Sequence, residues 1–345
     1  MTTGDLGGSS KENVVLDGIP VITVNGSRFQ KALQIVRLEI DVILTIDYRC
    51  NYRGIFNILP FTPVITWVRD PRTQAVIEKV NSLKIPGKNV EPAGICIPET
   101  RNLAAYRKRP FPLKNRVTLA NKMSHLKEKN EDVYNIPGSE WVLPNPSVVD
   151  YSGVNVKKAE KPTVVFVGRL DPIKRPWLFV ELARMFPEAD FLMLGKNHFE
   201  EEDGWEINNV PENLKLLGHV TGEEKYQILS SAWIFVNTSI HEESPVSAFE
   251  ALAYETPLVC FEDWGGIVSR HGISIGQRLG TGLDGMPDLV SAVKQLLNDE
   301  ELRTKYGKRG RAFVEKEHND EAFLTAFREL CIHTGVKRAK DSILV

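Results

Sequence analysis

Residues 163–186 read TVVFVGRLDPIKRPWLFVELARMF, and ADFLMLG follows at 189–195. The segment opens on an unbroken apolar, β-branched run. It crosses a polar loop, GRLDPIKRP, into apolar residues at helical spacing, then returns to a second apolar run ending on Gly195. Strands buried on both faces of a parallel sheet have this unbroken character. Pro176 stands where the first turn of a helix tolerates a missing N–H. The stretch therefore predicts strand, helix and parallel strand, joined by a right-handed crossover.

The alternation extends both ways. Downstream, LKLLGHV (214–220), WIFVNTS (233–239) and TPLVCFE (256–262) predict strands. EEKYQILSSA (223–232), PVSAFEALAYE (245–255) and MPDLVSAVKQLLND (286–299) predict helices. Upstream, past the linker SGVNVKKAEKP (152–162), strands are expected at VITV (21–24), DVILTID (41–47), PVITWV (63–68), RVTLA (116–120) and EWVLPN (140–145). A helix is expected in FQKALQIVRL (29–38), and a polar helix through Lys129. The reading is α/β: two doubly wound domains, 1–150 and 151–318, with a terminal amphipathic helix in 319–345. A length of 345 residues fits this at about 150 residues per domain.

Composition narrows the function classes. Hydrophobic residues make up 42% and charged residues 26%, which excludes a disordered chain. The four cysteines, Cys50, Cys96, Cys260 and Cys331, are isolated, as reduced core thiols of a cytoplasmic protein would be. No apolar run approaches the ~20 residues of a membrane span. The start, MTTGDLGGSS, lacks the features of a signal peptide. Net charge is −2, yet residues 1–150 hold 20 Lys/Arg against 15 Asp/Glu, and the remainder 23 against 30. The basic excess gathers in Arg101, Arg107, Lys108, Arg109, Lys114 and Arg116. Such a cluster suits an anionic membrane face or a phosphorylated substrate; a solvated loop would read the same way. The weak net charge argues against nucleic acid as partner.

In doubly wound sheets ligands bind beyond the carboxyl ends of strands. Arg69 and Asp70, residues 168–174, Gly195 and Lys196, residues 218–220 and residues 240–247 are therefore the positions to weigh. Arg169 and Lys174 stand between a strand and a helix, a receptor for a diphosphate or a basic surface loop. Glu242 and Glu250 form an E-x7-E pair around a predicted helix start, with residues 244–247 offering free backbone N–H groups. Carboxylates accept hydrogen bonds from sugar hydroxyls, and the amides between them suit phosphate. Helix-start acids also cap helices or complement the macrodipole, so this pair alone decides little. His219 and His241 fall in these loops and read more simply as loop residues.

Taken in order, VLPNPSVVD, VGRLDPIKRP, ENLKLLGHV, WIFVNTS, HEESPVSAFEALAYETPLV, Gly265–Gly266 as GG, and ELRTKYGKRGRAFVEKEH resemble the retaining glycosyltransferases of family four. The resemblance covers most of residues 115–330. It implies the GT-B fold: two Rossmann-like domains facing across a cleft, with the terminal helix packing back on the N-terminal domain. It also implies a donor site in the C-terminal domain. There Arg169 and Lys174, after Gly168, would clamp the donor diphosphate. Glu250 would bind the ribose and Glu242 a sugar hydroxyl. Backbone amides around Pro245, those of Ser244, Val246 and Ser247, would reach the phosphate, and Gly218, His219 and Val220 would line the base pocket. The substrate would be a nucleotide-diphosphate sugar. No D-x-D motif occurs, so protein cations rather than a metal ion are expected to meet the leaving charge, with no cofactor.

Three features depart from the family. Glu243 stands where relatives carry a glycine, which predicts a narrower pocket or repulsion near phosphate. Arg69 stands at or near a family histidine, which makes Arg69 and Asp70 candidates for an acceptor or a phosphate; an Arg69–Asp70 ion pair is the plain alternative. The segment before residue 25 resembles the region after the family's first strand, glycine-rich loop and helix, so the N-terminal domain is expected to lack that β-α unit. The expected acceptor is a glycan, a lipid-linked species or a small molecule, at a cytoplasmic location or the inner membrane face. The sequence carries two rival readings: a GT-B relative that binds nucleotide or a partner without turnover, and a sugar-nucleotide epimerase.

Overall fold

Thr163–Val167 (β6) opens a six-stranded sheet in the second half of the chain, and all five of its neighbours run parallel to it or to each other. The structure is a computed structural model. It describes residues 14–16, 19–21, 27–47, 53–87, 117–134, 139–146, 149–199, 205–207 and 209–336. The other strands of the sheet are Asp190–Leu194 (β7), Leu214–Gly218 (β8), Ile234–Asn237 (β9), Leu258–Cys260 (β10) and Gly272–Ser274 (β11). Their spatial order is β11-β10-β9-β6-β7-β8. The chain leaves β6 toward one edge through β7 and β8, then returns to pair β9 on the other side of β6. The order reverses between β6 and β9, and in this architecture ligands enter the crevice outside that reversal. The two loops that meet there are 168–174 and 240–247.

Both faces of this sheet are covered. One carries Phe166, Phe191 and Val236, packed against Phe179 of the helix Pro176–Met185 and beneath Met286–Asn298. The other carries Val165 and Phe235, packed against Phe249 and Leu252 of the helix Val246–Ala253, with the long helix Glu300–Glu317 alongside. Gly307 is required where that long helix crosses its neighbour: a Cβ there would stand 2.3 Å from the Glu255 carbonyl oxygen. Among the described residues the free thiol Cys260 is fully buried in this core, and burial pushes its pKa well up.

The first half is thinner. Val14–Leu16 (β1) and Ile19–Val21 (β2) form an antiparallel hairpin. The second of these strands begins two residues before the VITV run, and residues 22–26 lie outside the described residues. Ile43–Ile46 (β3), Val64–Val68 (β4) and Val117–Asn121 (β5) make a parallel sheet in that order. Its faces alternate as strand geometry demands. Val64 and Val68 meet Phe56, Leu119 and Val133, while Ile65 and Trp67 face the other way. The terminal helix Asp320–His333 covers that second face with Leu330 and Cys331, and Phe323 lies 5.8 Å from the Trp67 ring. EWVLPN contributes only a parallel bridge between Val142 and Asn121. Pro144 cannot donate to a ladder, which ends the pairing. The polar helix runs Lys127–Tyr134, past Lys129, because Val133 and Tyr134 are buried against the N-terminal core. The Arg101–Arg116 cluster, Cys50, Cys96 and MTTGDLGGSS lie outside the described residues. Among the described residues no helix is long and apolar enough to cross a membrane.

Candidate functional site

Two cavities adjoin at the strand-order reversal. One, of about 580 Å³, lies in the C-terminal domain and is lined by Gly168, Arg169, Gly195, Lys196, His219, Val220, Lys225, Ser247 and Glu250. The other, of about 400 Å³, lies between the domains and is lined by Arg69, Asp70, Lys122, Lys174, His241, Glu242, Ser244 and Pro245. Arg169 and Val246 line both, so the two spaces share a wall. Arg69, Asp70, Gly168, Arg169, Lys174, His219, Val220, Glu242, Glu250 and residues 244–247 each line at least one of them, whereas Gly218 lines neither.

The β6 loop is set by its own turn chemistry. Asp171 accepts the Lys174 N–H at 3.0 Å, closing the short helical turn Pro172–Lys174. Arg175 then adopts a left-handed backbone, φ 47°, and is fully buried. Its guanidinium donates to the carbonyls of Thr238 at 2.8 Å, Arg278 at 2.9 Å and Ser239 at 3.2 Å, and lies 4.7 Å from the Phe261 ring. Arg175 thus ties the loop after β6 to the end of β9. Sequence reasoning passed over it because an arginine beside Lys174 reads as one more exposed cation. Gly195 holds the adjoining edge: a Cβ there would meet the Gly168 carbonyl oxygen at 1.8 Å.

Lys174 points into the cleft and pairs with Glu242. Burial pushes its pKa down to about 8. Glu242 also accepts from the Ser239 hydroxyl at 3.0 Å, and its own N–H donates to Glu262 at 2.7 Å. Arg169 is far more exposed and pairs with Asp171 at 2.9 Å. On the other side of the helix start, Glu250 pairs with Lys225 at 2.7 Å; burial raises its pKa against the pull of that lysine. Between the two glutamates, Pro245 is the N-cap of Val246–Ala253 and supplies no side-chain cap. The first amides of the helix are left to face the cavity wall. Ser244 precedes them at φ 57°, a strained conformation for a residue with a Cβ, and its buried hydroxyl has no hydrogen-bond partner among the described residues.

The N-terminal wall reaches across the cleft. Asp70 accepts from Arg72 at 2.8 and 2.9 Å and meets His241 Nε2 at 2.9 Å. Burial alone would raise the Asp70 carboxyl, but the His241 hydrogen bond and the Arg72 charge outweigh it and hold it well below the usual range. Asp70 therefore does not pair with Arg69. The Arg69 guanidinium lies 5.0 Å from the Trp67 ring centre instead.

Glu243 does not intrude on the cavity as a bare charge. Its carboxylate turns to the N-terminal domain, 3.2 Å from His125 Nε2 and paired with Lys129. The expected repulsion near phosphate is corrected on that ground: the added carboxylate has its own cations. Lys122, almost fully buried, donates to the backbone carbonyls of Glu243, at 3.0 Å, and Ser244. Burial, then the Arg69 charge, lower its pKa to about 8. Lys122 directly follows β5, so the same end-of-strand rule that flagged Arg69 would have found it. Lys79 and Glu262 add another interdomain pair, visible only once the domains meet.

This geometry defines a class: two α/β domains around a cleft, with cations and a helix N-terminus on the C-terminal side. Residues 150–313 match the model of the family of glycosyl transferases group 1. It is 28% identical to a trehalose synthase of Rubrobacter xylanophilus over 192 residues, 52% of this chain and 43% of that protein. Among solved structures, sucrose-phosphate synthase from Thermosynechococcus elongatus superposes with a TM-score of 0.67 at 17% identity, over 89% of this chain and 76% of that one. The pneumococcal O-GlcNAc transferase GtfA, solved with UDP and GlcNAc, gives 0.62 at 14% identity, over 90% and 60%. These likenesses establish the fold, GT-B. The chain covers 31 to 43% of the length of the curated relatives it matches.

Proposed function

We propose that the chain transfers a sugar from a nucleotide-diphosphate donor to an acceptor hydroxyl, with retention of configuration and without a metal ion. The observation that carries this is the joining of two cavities at the strand-order reversal, with Arg169 and Val246 in their shared wall. The nucleoside occupies the C-terminal cavity, with Glu250 on the ribose hydroxyls and the His219–Val220 stretch against the base. The diphosphate crosses the shared wall, between Arg169, Lys174 and the amides of Val246 and Ser247. The sugar then projects into the interdomain cleft beside Glu242.

The Lys174–Glu242 pair suggests how loading proceeds. A diphosphate is the stronger partner for a buried ammonium, so it takes over Lys174 and frees Glu242 to accept from a sugar hydroxyl. As the glycosidic bond breaks, negative charge grows on the departing phosphate. Cations and amides already aimed there stabilise that charge without reorganising. The UDP bound to the pneumococcal O-GlcNAc transferase supports a nucleotide donor of this kind.

Isothermal titration of the folded chain with UDP, GDP and ADP tests the reading. Micromolar-range binding of one of them is expected, and no binding of any would sink the donor assignment. A donor screen by mass spectrometry, with water or added sugars as acceptor, then reads transfer.

A further inference from the structure

The carboxyl end of the N-terminal sheet carries a second cationic site, separate from the diphosphate clamp. Val68 and Asn121 face each other in the parallel register of β4 and β5, and the Lys122 N–H donates to the Val68 carbonyl at 2.8 Å. Arg69 and Lys122 are the next residues on each strand. They therefore leave neighbouring strands side by side, the strands being about 5 Å apart across the sheet, and both line the interdomain cleft.

The acids nearby are already committed. Asp70 is held by Arg72 and His241. Asp47 accepts the backbone N–H groups of Arg69 at 2.8 Å and Asp70 at 3.4 Å, which fixes the loop. Among the described residues the Arg69 guanidinium has no ion-pair or hydrogen-bond partner; it rests on the Trp67 ring. Lys122 is held in place by two carbonyls, which orient its charge without neutralising it. Ser244, whose carbonyl is one of those two, adds a fully buried hydroxyl with no partner among the described residues.

We infer that Arg69, Lys122 and the Ser244 hydroxyl form an anion subsite on the acceptor side of the cleft, and that the acceptor carries a phosphate group. The assignment to the acceptor rests on the donor reading above; the anion site itself does not. A guanidinium offers a planar fork, an ammonium a point charge and a hydroxyl a rotatable donor, a set suited to a tetrahedral oxyanion. Two positive charges placed side by side repel until an anion lies between them.

Glycerol 3-phosphate is the probe. It is titrated into the full chain saturated with UDP, and in parallel into Lys174→Ala protein without nucleotide, where the diphosphate clamp is disabled. Binding is expected in both backgrounds, and glycerol is expected not to bind. Arg69→Gln should weaken binding by about tenfold or more, the scale of a charge-assisted hydrogen bond. It should leave UDP affinity within about twofold, and Arg69→Lys should restore part of the loss. No binding in either background would overturn the proposal, and so would binding indifferent to Arg69→Gln. Loss of binding in Lys174→Ala would place the anion in the diphosphate clamp and overturn it too, as would a preference for glucuronate over glycerol 3-phosphate. If UDP itself does not bind, the donor reading fails, and the Lys174→Ala arm still decides the anion site. Sedimentation with phosphatidylcholine vesicles containing phosphatidylglycerol separates the sources. Arg69-dependent sedimentation assigns the phosphate to a lipid headgroup; binding of glycerol 3-phosphate without it assigns a soluble acceptor, and both support the subsite.

Discussion

The two cavities are built on opposite principles. The C-terminal cavity belongs to one sheet, and its ion pairs close within one domain: Glu250 with Lys225, Arg169 with Asp171. The interdomain cleft is made of pairs that span the chain: Asp70 with His241, Lys122 with the carbonyls of Glu243 and Ser244, Lys129 with Glu243, Lys79 with Glu262. The first draws neither of these pairs from the N-terminal half. The second exists only while the domains are docked. Binding of a nucleotide and recognition of an acceptor should therefore respond to different substitutions.

The strongest test of that contrast is Lys174→Ala. It should weaken UDP or its equivalent by about a hundredfold, near 3 kcal/mol for a charge-assisted contact in a half-dry site, and leave the nucleoside unaffected. Titration with the diphosphate and the free nucleoside reads both, and equal losses would contradict a phosphate role. Next, Glu250→Ala should cost nucleotide affinity by about tenfold, a hydrogen-bonded carboxylate's share, and more than Glu242→Ala does. Glu242→Ala should instead slow transfer, because the diphosphate has already displaced that carboxylate from Lys174. The reverse order would exchange the two roles.

Smaller effects belong to the cleft. Glu243→Gln removes the carboxylate that His125 and Lys129 share. With Lys129 partly in solvent, about 1 kcal/mol is expected. It should appear as faster hydrogen exchange in residues 122–134 with nucleotide affinity intact; unchanged exchange would remove the docking role. Least local of all is the pH response of folding. His271 and His318 are buried, and burial lowers both from 6.5 to about 4. Between those pH values the unfolded chain binds protons that the folded chain refuses, so stability is highest above about 6.5 and falls as the pH drops toward 4. Urea midpoints at pH 7 and 4.5 measure it. A midpoint that held steady would mean these histidines titrate normally in the fold.

The residues proposed for the donor side come from two short stretches of sequence. Arg169 and Lys174 stand in one strand-loop-helix unit and Glu242 and Glu250 in another, so within each pair local spacing carries the information. Arg69 was visible by the end-of-strand rule. Its solitude was not, because its plain partner, Asp70, is adjacent in sequence yet turns to Arg72 and His241. The role of Glu243 was read with the wrong sign, since its neutralising partners lie more than a hundred residues away. Arg175 was passed over because nothing in GRLDPIKRP distinguishes the cation that faces inward from the one that faces the cleft.

The alternation of strands and helices around β6 and the α/β class follow from sequence, because apolar periodicity and loop position are local properties of a chain. Which carboxylate neutralises which cation is settled only by tertiary structure, because an ion pair depends on distance in space. That is why Arg69 stands unpaired among the described residues while four of its acidic and basic neighbours are spoken for.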